Sequence, residues 1–226
     1  MVANTNRGFD MKNIFVLDKA NANVSDQIKS EDDRQTIIYN ATLACENLLH
    51  ALGIDTANDP NTHSTAQRIA KMLVNELLHG KYDPMPDITE FPNTSKLDQL
   101  YTVGPVSITS MCSHHFLPFT GHLWLGILPD TNSKDSKVLG LSKFARLADW
   151  IFARPQIQEE ATTQLADLVE KLTGAAGIGL VVKAQHACTN LRGAKQPGMF
   201  MTTSIFRGVL LDNPTARQEF LSMVGM

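Results

Sequence analysis

From Leu100 onward the apolar residues of this chain stop recurring at helical spacing and begin to alternate, and no other feature limits the fold as much. Before that point Ile38, Ala41, Cys45, Leu48, Leu49 and Leu52 recur three and four apart, which predicts a helix from Thr36 that Gly53 ends. Cys45 belongs to that stripe and reads as packing rather than chemistry. A second helix is expected from Ser64 to Gly80, with Ile69, Met72, Leu73 and Leu77 inward, and Pro84, Pro86 and Pro92 mark an irregular connector after it.

Past the change of period, Val106, Ile108, Ser110 and Cys112 alternate with Ser107, Thr109 and Met111, and residues 121–128 read as a second strand. The two predict an antiparallel pair joined through a short polar segment. Residues 130–137 form a polar loop. Ser142 is placed to cap a helix reaching Arg154, Pro155 breaks it, and residues 156–172 carry Leu165, Leu168, Val169 and Leu172 on one face. Ile178, Leu180, Val182, Ala184, His186 and Cys188 share strand parity, so a strand reaching Cys188 would present His186 and Cys188 on one side. A strand over residues 201–211 and a short helix from Pro214 close the chain. The class expected is α+β: a helical region over residues 34–99, then a sheet-bearing domain over residues 100–226.

Charge narrows the function. At 226 residues and 43% hydrophobic the chain can bury a sizeable core, but its net charge is −3 and its pI about 6.1. That balance excludes binding to nucleic acid through phosphate attraction, so any anionic ligand needs a local cluster of cations. No apolar run is long enough to cross a bilayer, and residues 1–33 are polar and read as a mobile arm with no secretory signal. The expectation is a cytoplasmic protein with neither a nucleic-acid nor a membrane partner.

The chemistry concentrates in Cys112-Ser113-His114-His115 and Gln185-His186-Ala187-Cys188, which hold two of the three cysteines and three of the seven histidines. Cys112 and His115 have the C-x2-H spacing that lets two side chains bind one metal ion, and Cys188 can add a thiolate from a distant strand. Three protein ligands leave a fourth position open, as in catalytic zinc sites, where bound water is acidified to a pKa of about 7. His114 and His186 are then candidate proton carriers. A buried pair of structural cysteines and a Cys112–Cys188 disulfide are the competing readings; the odd cysteine count and the absence of a signal peptide weigh against the disulfide.

Taken with residues 140–146 (GLSKFAR), 154–159 (RPQIQE), 186–193 (HACTNLRG) and 68–71 (RIAK), the segment 110–116 (SMCSHHF) resembles GTP cyclohydrolase I, over roughly residues 36–220. The resemblance implies a T-fold, an antiparallel sheet carrying two helices on one face behind a helical N-terminal region. It also implies a toroidal homodecamer with active sites at subunit interfaces. The implied reaction is hydrolysis of GTP to formate and 7,8-dihydroneopterin triphosphate, the first step of pterin and folate biosynthesis. Position for position, Cys112, His115 and Cys188 match the family's Zn2+ ligands, and His114 and His186 its catalytic histidines, with His186 favoured for proton transfer to the purine. Gln158 and Glu159 match the guanine-recognition pair; a carboxylate can accept from N1–H and the exocyclic amine together. Ser142, Lys143 and Arg146 match the triphosphate cradle, and Arg68, Lys71 and Arg192 further phosphate contacts that could converge only across subunits. Read without the resemblance, Ser142 is a helix cap, and Lys143 and Arg146 are solvated charges.

Pro197 and residues 199–203 (MFMTT) differ from the family's usual Ser/Thr-rich run, and two charge-changing positions depart as well: Ser113 stands where glutamate is common and Glu160 where arginine is common. They motivate two alternatives, a diverged relative that stops at a ring-opened product and a non-catalytic nucleotide-binding or regulatory subunit.

Overall fold

The structure is a computed structural model and describes residues 30–226; the expected arm lies outside these residues up to position 29. Ser30 accepts a hydrogen bond from the Asp33 amide and caps helix α1 (Glu31–Ala51), whose first turn, Glu31, Asp32 and Asp33, places acids against the positive end of the helix. Such a cap was not apparent from the apolar stripe, so the helix begins at residue 31 rather than 36. It ends as expected, with Gly53 in a left-handed conformation at φ +74°. Helix α2 (Thr65–Met72) runs through a π-helical turn (Leu73–Leu77) into α3 (His79–Tyr82).

The buried face of this second segment is Ala66, Ala70, Val74 and Leu78, whereas Ile69, Leu73 and Leu77 are half-buried and Met72 is exposed. The expected inward set was therefore one position off. Ile38 of α1 packs on Ala70 and Val74, and a close helix–helix approach selects small side chains over the large ones that dominate a hydropathy pattern. Gly80 does not end the helix. It lies inside α3, and glycine is required there by packing: a Cβ would stand 1.9 Å from the Trp150 carbonyl oxygen.

Strand β1 (Glu90–Pro92) follows, then β2 (Tyr101–Cys112) and β3 (Leu117–Leu128), joined by the turn at residues 113–116. Strand β4 (Lys137–Leu139) pairs antiparallel with β1, helped by the Lys137–Glu90 ion pair. Helix α4 (Leu141–Phe152) leads to the two-residue β5 (Pro155–Gln156), α5 (Gln158–Thr173), β6 (Gly177–His186), the turn α6 (Ala187–Asn190), β7 (Met201–Gly208), α7 (Val209–Asp212) and α8 (Pro214–Met223). The main sheet has the order β5-β2-β3-β6-β7, antiparallel except for the short β5–β2 pairing.

Helices α4 and α5 pack on one face of this sheet. Phe119, Leu123, Leu125 and Ile127 of β3 meet Ile178, Leu180 and Val182 of β6 across the strands, and Phe144, Leu147, Phe152, Leu165 and Val169 close over them. Each such side chain contributes about 1.5–3 kcal/mol by leaving water. On the opposite face Phe220 of α8 lies against Gly126 and Gly179, which are paired across β3 and β6; a Cβ on Gly126 would come within 2.4 Å of the Phe220 ring. The architecture is the expected α+β arrangement, an antiparallel sheet with two helices on one face behind a helical segment.

Three local expectations change. Gly140, not Ser142, occupies the N-cap of α4, so Ser142 lies inside the first turn. Strand β6 stops at His186, and β7 stops at Gly208. Among the described residues no helix is long and apolar enough to cross a membrane.

Candidate active site

Cys112 is the last residue of β2 and is buried. The turn after it closes through a hydrogen bond from the Phe116 amide to the Cys112 carbonyl oxygen (2.9 Å), with Phe116 at φ +54°. On its other edge Cys112 pairs with Gln156 of β5, and the Ser113 amide donates to the Gln156 carbonyl oxygen. Helix α5 thus starts two residues beyond the partner of Cys112.

From the other side, β6 places His186 opposite Phe119, and the two rings stack with centroids 4.7 Å apart and planes 14° apart. The chain then leaves the sheet. Thr189 Oγ1 donates to the His186 carbonyl oxygen (3.0 Å), stabilising the turn that returns Cys188. As a result a ligand atom from each of Cys112, His186 and Cys188 lies within 4.8 Å of the others. A tetrahedral zinc ion would hold such atoms about 3.8 Å apart, so the group is near a metal-binding spacing.

Its electrostatics favour a cation. Burial pushes the Cys188 thiol up, and the neighbouring Cys112 adds to the rise. A thiol raised in this way becomes a strong donor only when a positive ion compensates the charge of ionisation. Two sulfurs and an imidazole suit zinc better than magnesium or calcium.

A cavity of about 290 Å³ opens beside the thiols. His114, His186, Gln158 and Glu159 supply its polar groups, and Ile157, Met199, Phe200 and Met201 line it with apolar surface. Burial holds the His186 imidazole below its ordinary pKa, with the Glu159 carboxylate acting in the opposite direction. Gln158 is completely buried. Its Nε2 donates toward the carbonyl oxygens of Val182 and Met201 (3.2 Å each) and toward Thr203 Oγ1 (3.0 Å), while its Oε1 lies 2.9 Å from His186 Nε2.

Residues 41–225 match the family model described as GTP cyclohydrolase I. The chain belongs to the GTP cyclohydrolase I family. Among curated proteins, the GTP cyclohydrolase 1 of Pseudoalteromonas translucida is 39% identical over 183 residues, 79% of this chain and 94% of that protein. The GTP cyclohydrolase 1 of Corynebacterium glutamicum (strain R) is 38% identical over 185 residues, 81% and 91% of the two chains. That of Chromohalobacter salexigens is 42% identical over 130 residues, 58% and 68%.

Against the residues that the GTP cyclohydrolase I resemblance singled out, the observed cluster differs in its imidazole. His186, rather than His115, stands with the two thiols. His115 lies on the exposed turn with Ser113 and His114, and Glu160 is exposed on α5. The expected phosphate contacts are outside the cavity of the single chain: Ser142, Lys143 and Arg146 at the start of α4, Arg68 and Lys71 on α2, and Arg192 after α6. Lys143 Nζ donates to the Asp87 carbonyl oxygen (3.3 Å), and Arg68 Nη2 to the Asn61 carbonyl oxygen and Thr65 Oγ1 (3.0 Å each). Phe119, Thr162 and Thr203, which touch the site residues from behind, were missed. Phe119 was legible only through strand register, and the two threonines carry no motif.

Proposed function

We propose that this chain hydrolyses GTP to formate and 7,8-dihydroneopterin triphosphate, the opening step of pterin and folate biosynthesis, using a Zn2+ ion held by Cys112, Cys188 and His115. The observation that carries the reading is the pair of thiols on the cavity that Glu159, His114 and His186 also line, in a chain of this family. Zinc bound there supplies Lewis-acid activation of water for attack at C8 of guanine.

The protein's own groups do the rest. The Glu159 carboxylate, at the positive start of α5, accepts from N1–H and the exocyclic amine of guanine, a donor pair that adenine lacks. His186 and His114 transfer protons at the purine ring as the imidazole opens. The apolar side chains of Met199, Phe200 and Met201 offer a surface against which the purine ring can lie. Lys143, Arg146, Arg68, Lys71 and Arg192 hold the triphosphate, with some supplied by neighbouring subunits of a ring-shaped homodecamer in the cytoplasm. His115 is the third ligand in this reading because it lies on an exposed turn three residues from Cys112, whereas the His186 ring is already stacked on Phe119 and hydrogen-bonded to Gln158.

The test is incubation of zinc-loaded protein with GTP, following formate and product mass together. Formate with the mass of dihydroneopterin triphosphate is the expected result. Formate with only a ring-opened nucleotide would restrict the activity to the first hydrolysis, and neither product, in zinc-replete oligomer, would overturn the proposal.

A further inference from the structure

We infer that Gln158 is a positioning residue that holds His186 as the Nε2–H tautomer, leaving Nδ1 as the ring's free acceptor, and that its side chain does not contact guanine. The inference concerns the site proposed above and relies on that reading only for its catalytic consequence.

Hydrogen-bond donors and acceptors decide the point. The terminal amide of Gln158 faces the carbonyl oxygens of Val182 and Met201 on one side and His186 Nε2 on the other. Carbonyl oxygens only accept, so the amide nitrogen has to be on their side and Oε1 on the side of the imidazole. An amide oxygen also only accepts. At 2.9 Å the His186 Nε2 is therefore the donor and carries the proton.

The surrounding hydroxyls close the network consistently. Thr162 Oγ1 donates to the Gln158 carbonyl oxygen (2.6 Å), so its single proton is engaged. Thr203 Oγ1, 3.0 Å from Thr162 Oγ1, then donates to it and accepts from Gln158 Nε2. An inverted Gln158 amide would set oxygen against two carbonyl oxygens in a site closed to water, which costs about 1–3 kcal/mol for each unmade bond. Stacking on the fully buried Phe119 fixes the plane of the ring, and a half-turn within that plane would put a C–H before Oε1.

A glutamine beside a glutamate at the mouth of a guanine site invites the assignment of both to the base. The two Gln158 N–H groups are taken up by Val182, Met201 and Thr203 and Oε1 faces His186 Nε2, so the buried side chain commits its polar atoms to the protein rather than to the base. Base recognition then falls to Glu159, and Gln158 sets which nitrogen of His186 can take a proton.

The direct test needs no variant. Protein labelled with 15N histidine and loaded with zinc is examined by magic-angle-spinning NMR, with the His186 signals identified by their absence in His186→Ala. A protonated Nε2 and unprotonated Nδ1 is the expected pattern; an unprotonated Nε2 overturns the inference. Because this spectrum is read without turnover, it stands or falls separately from the proposed reaction. As a second measurement, Gln158→Met keeps the length of the side chain and removes the acceptor. Its kcat should fall at least about 10-fold with KM for GTP within about 2-fold, on the scale of one lost hydrogen bond in the transition state. A raised KM at unchanged kcat would return Gln158 to guanine binding.

Discussion

Arg154 donates from Nε to the carbonyl oxygen of Gly80, 3.0 Å away, and so joins the N-terminal helices to the layer that packs on the sheet. The guanidinium also lies 4.1 Å from the centroid of the Trp150 ring and donates from Nη1 to Gln164 Oε1 (2.9 Å). Burial lowers its pKa to about 10, which still leaves it charged at neutral pH. Replacement by methionine, Arg154→Met, would keep much of the volume and strand the Gly80 carbonyl, at a cost of about 2–3 kcal/mol. Denaturant titration of the variant would measure the loss; a stability equal to the parent would remove this role from Arg154.

Metal content separates the two candidate imidazoles. Cys112→Ser and Cys188→Ser should each lower zinc affinity on the order of 100-fold or more, since direct ligation exceeds the effect of outer partners. His115→Ala should lose zinc with them, while His186→Ala should keep it and fail to release formate. Elemental analysis of the four purified variants decides this, and a zinc-free His186→Ala with zinc-replete His115→Ala would assign the third ligand to His186.

Zinc uptake should release protons. The Cys188 thiol is raised by burial and then by Cys112, so without metal it holds its proton at neutral pH and binding has to expel it. Affinity should therefore climb as pH rises toward the thiol range. Calorimetric titrations in buffers of different ionisation enthalpy would read the proton count, and a count of zero would contradict the thiol assignment.

His79 gives stability its own pH dependence. It is held above its ordinary value of 6.5 mainly by its hydrogen bond to Asp149, with Coulombic help from Asp149 and Asp83. Nε2 lies 3.2 Å from Asp149 and Nδ1 3.5 Å from Asp83, which also pairs with Arg34. A raised folded pKa means that the contribution is fully present below 6.5 and disappears as pH climbs through the folded value. Thermal melts of parent and His79→Gln should differ most in mildly acidic buffer and converge in alkaline buffer; a gap that widens with pH would show the sign to be wrong.

Glu159→Gln tests base recognition. Replacing the carboxylate with a neutral amide weakens a charged hydrogen-bond pair, and kcat/KM for GTP should fall about 10- to 100-fold. Inosine triphosphate, which lacks the exocyclic amine, should be hurt far less by the same change. Equal losses on the two nucleotides would place Glu159 outside guanine recognition.

Much of this was legible in the chain. The alternation after Leu100 located the two central strands, and the pairing of Cys112 with a distant Cys188 was readable from residue type and spacing. The limits were physical. Hydropathy favours Ile69 and Leu73 over Ala66 and Ala70, yet closely packed helices bury the small residues. Ser142 resembles a cap, but Gly140 takes the position. Gln158 sits in a motif whose resemblance points to guanine, and only the packing of β6, β7 and α5 around it reveals where its amide goes. The cations on α2 and α4 are visible as a set in sequence, while one chain leaves them apart from the cavity.

Strand β5 is two residues long, yet it works as a ruler. Its pairing of Gln156 with Cys112 sets the count from the Cys112 thiol to Glu159 at three residues past the pair, with no slack between. One residue inserted there would turn the start of α5 by about 100° and swing the Glu159 carboxylate away from the cavity that it lines. The stretch from Gln156 to Glu159 therefore has a fixed count as well as fixed residues, and an insertion there would disturb the site more broadly than any single substitution within it.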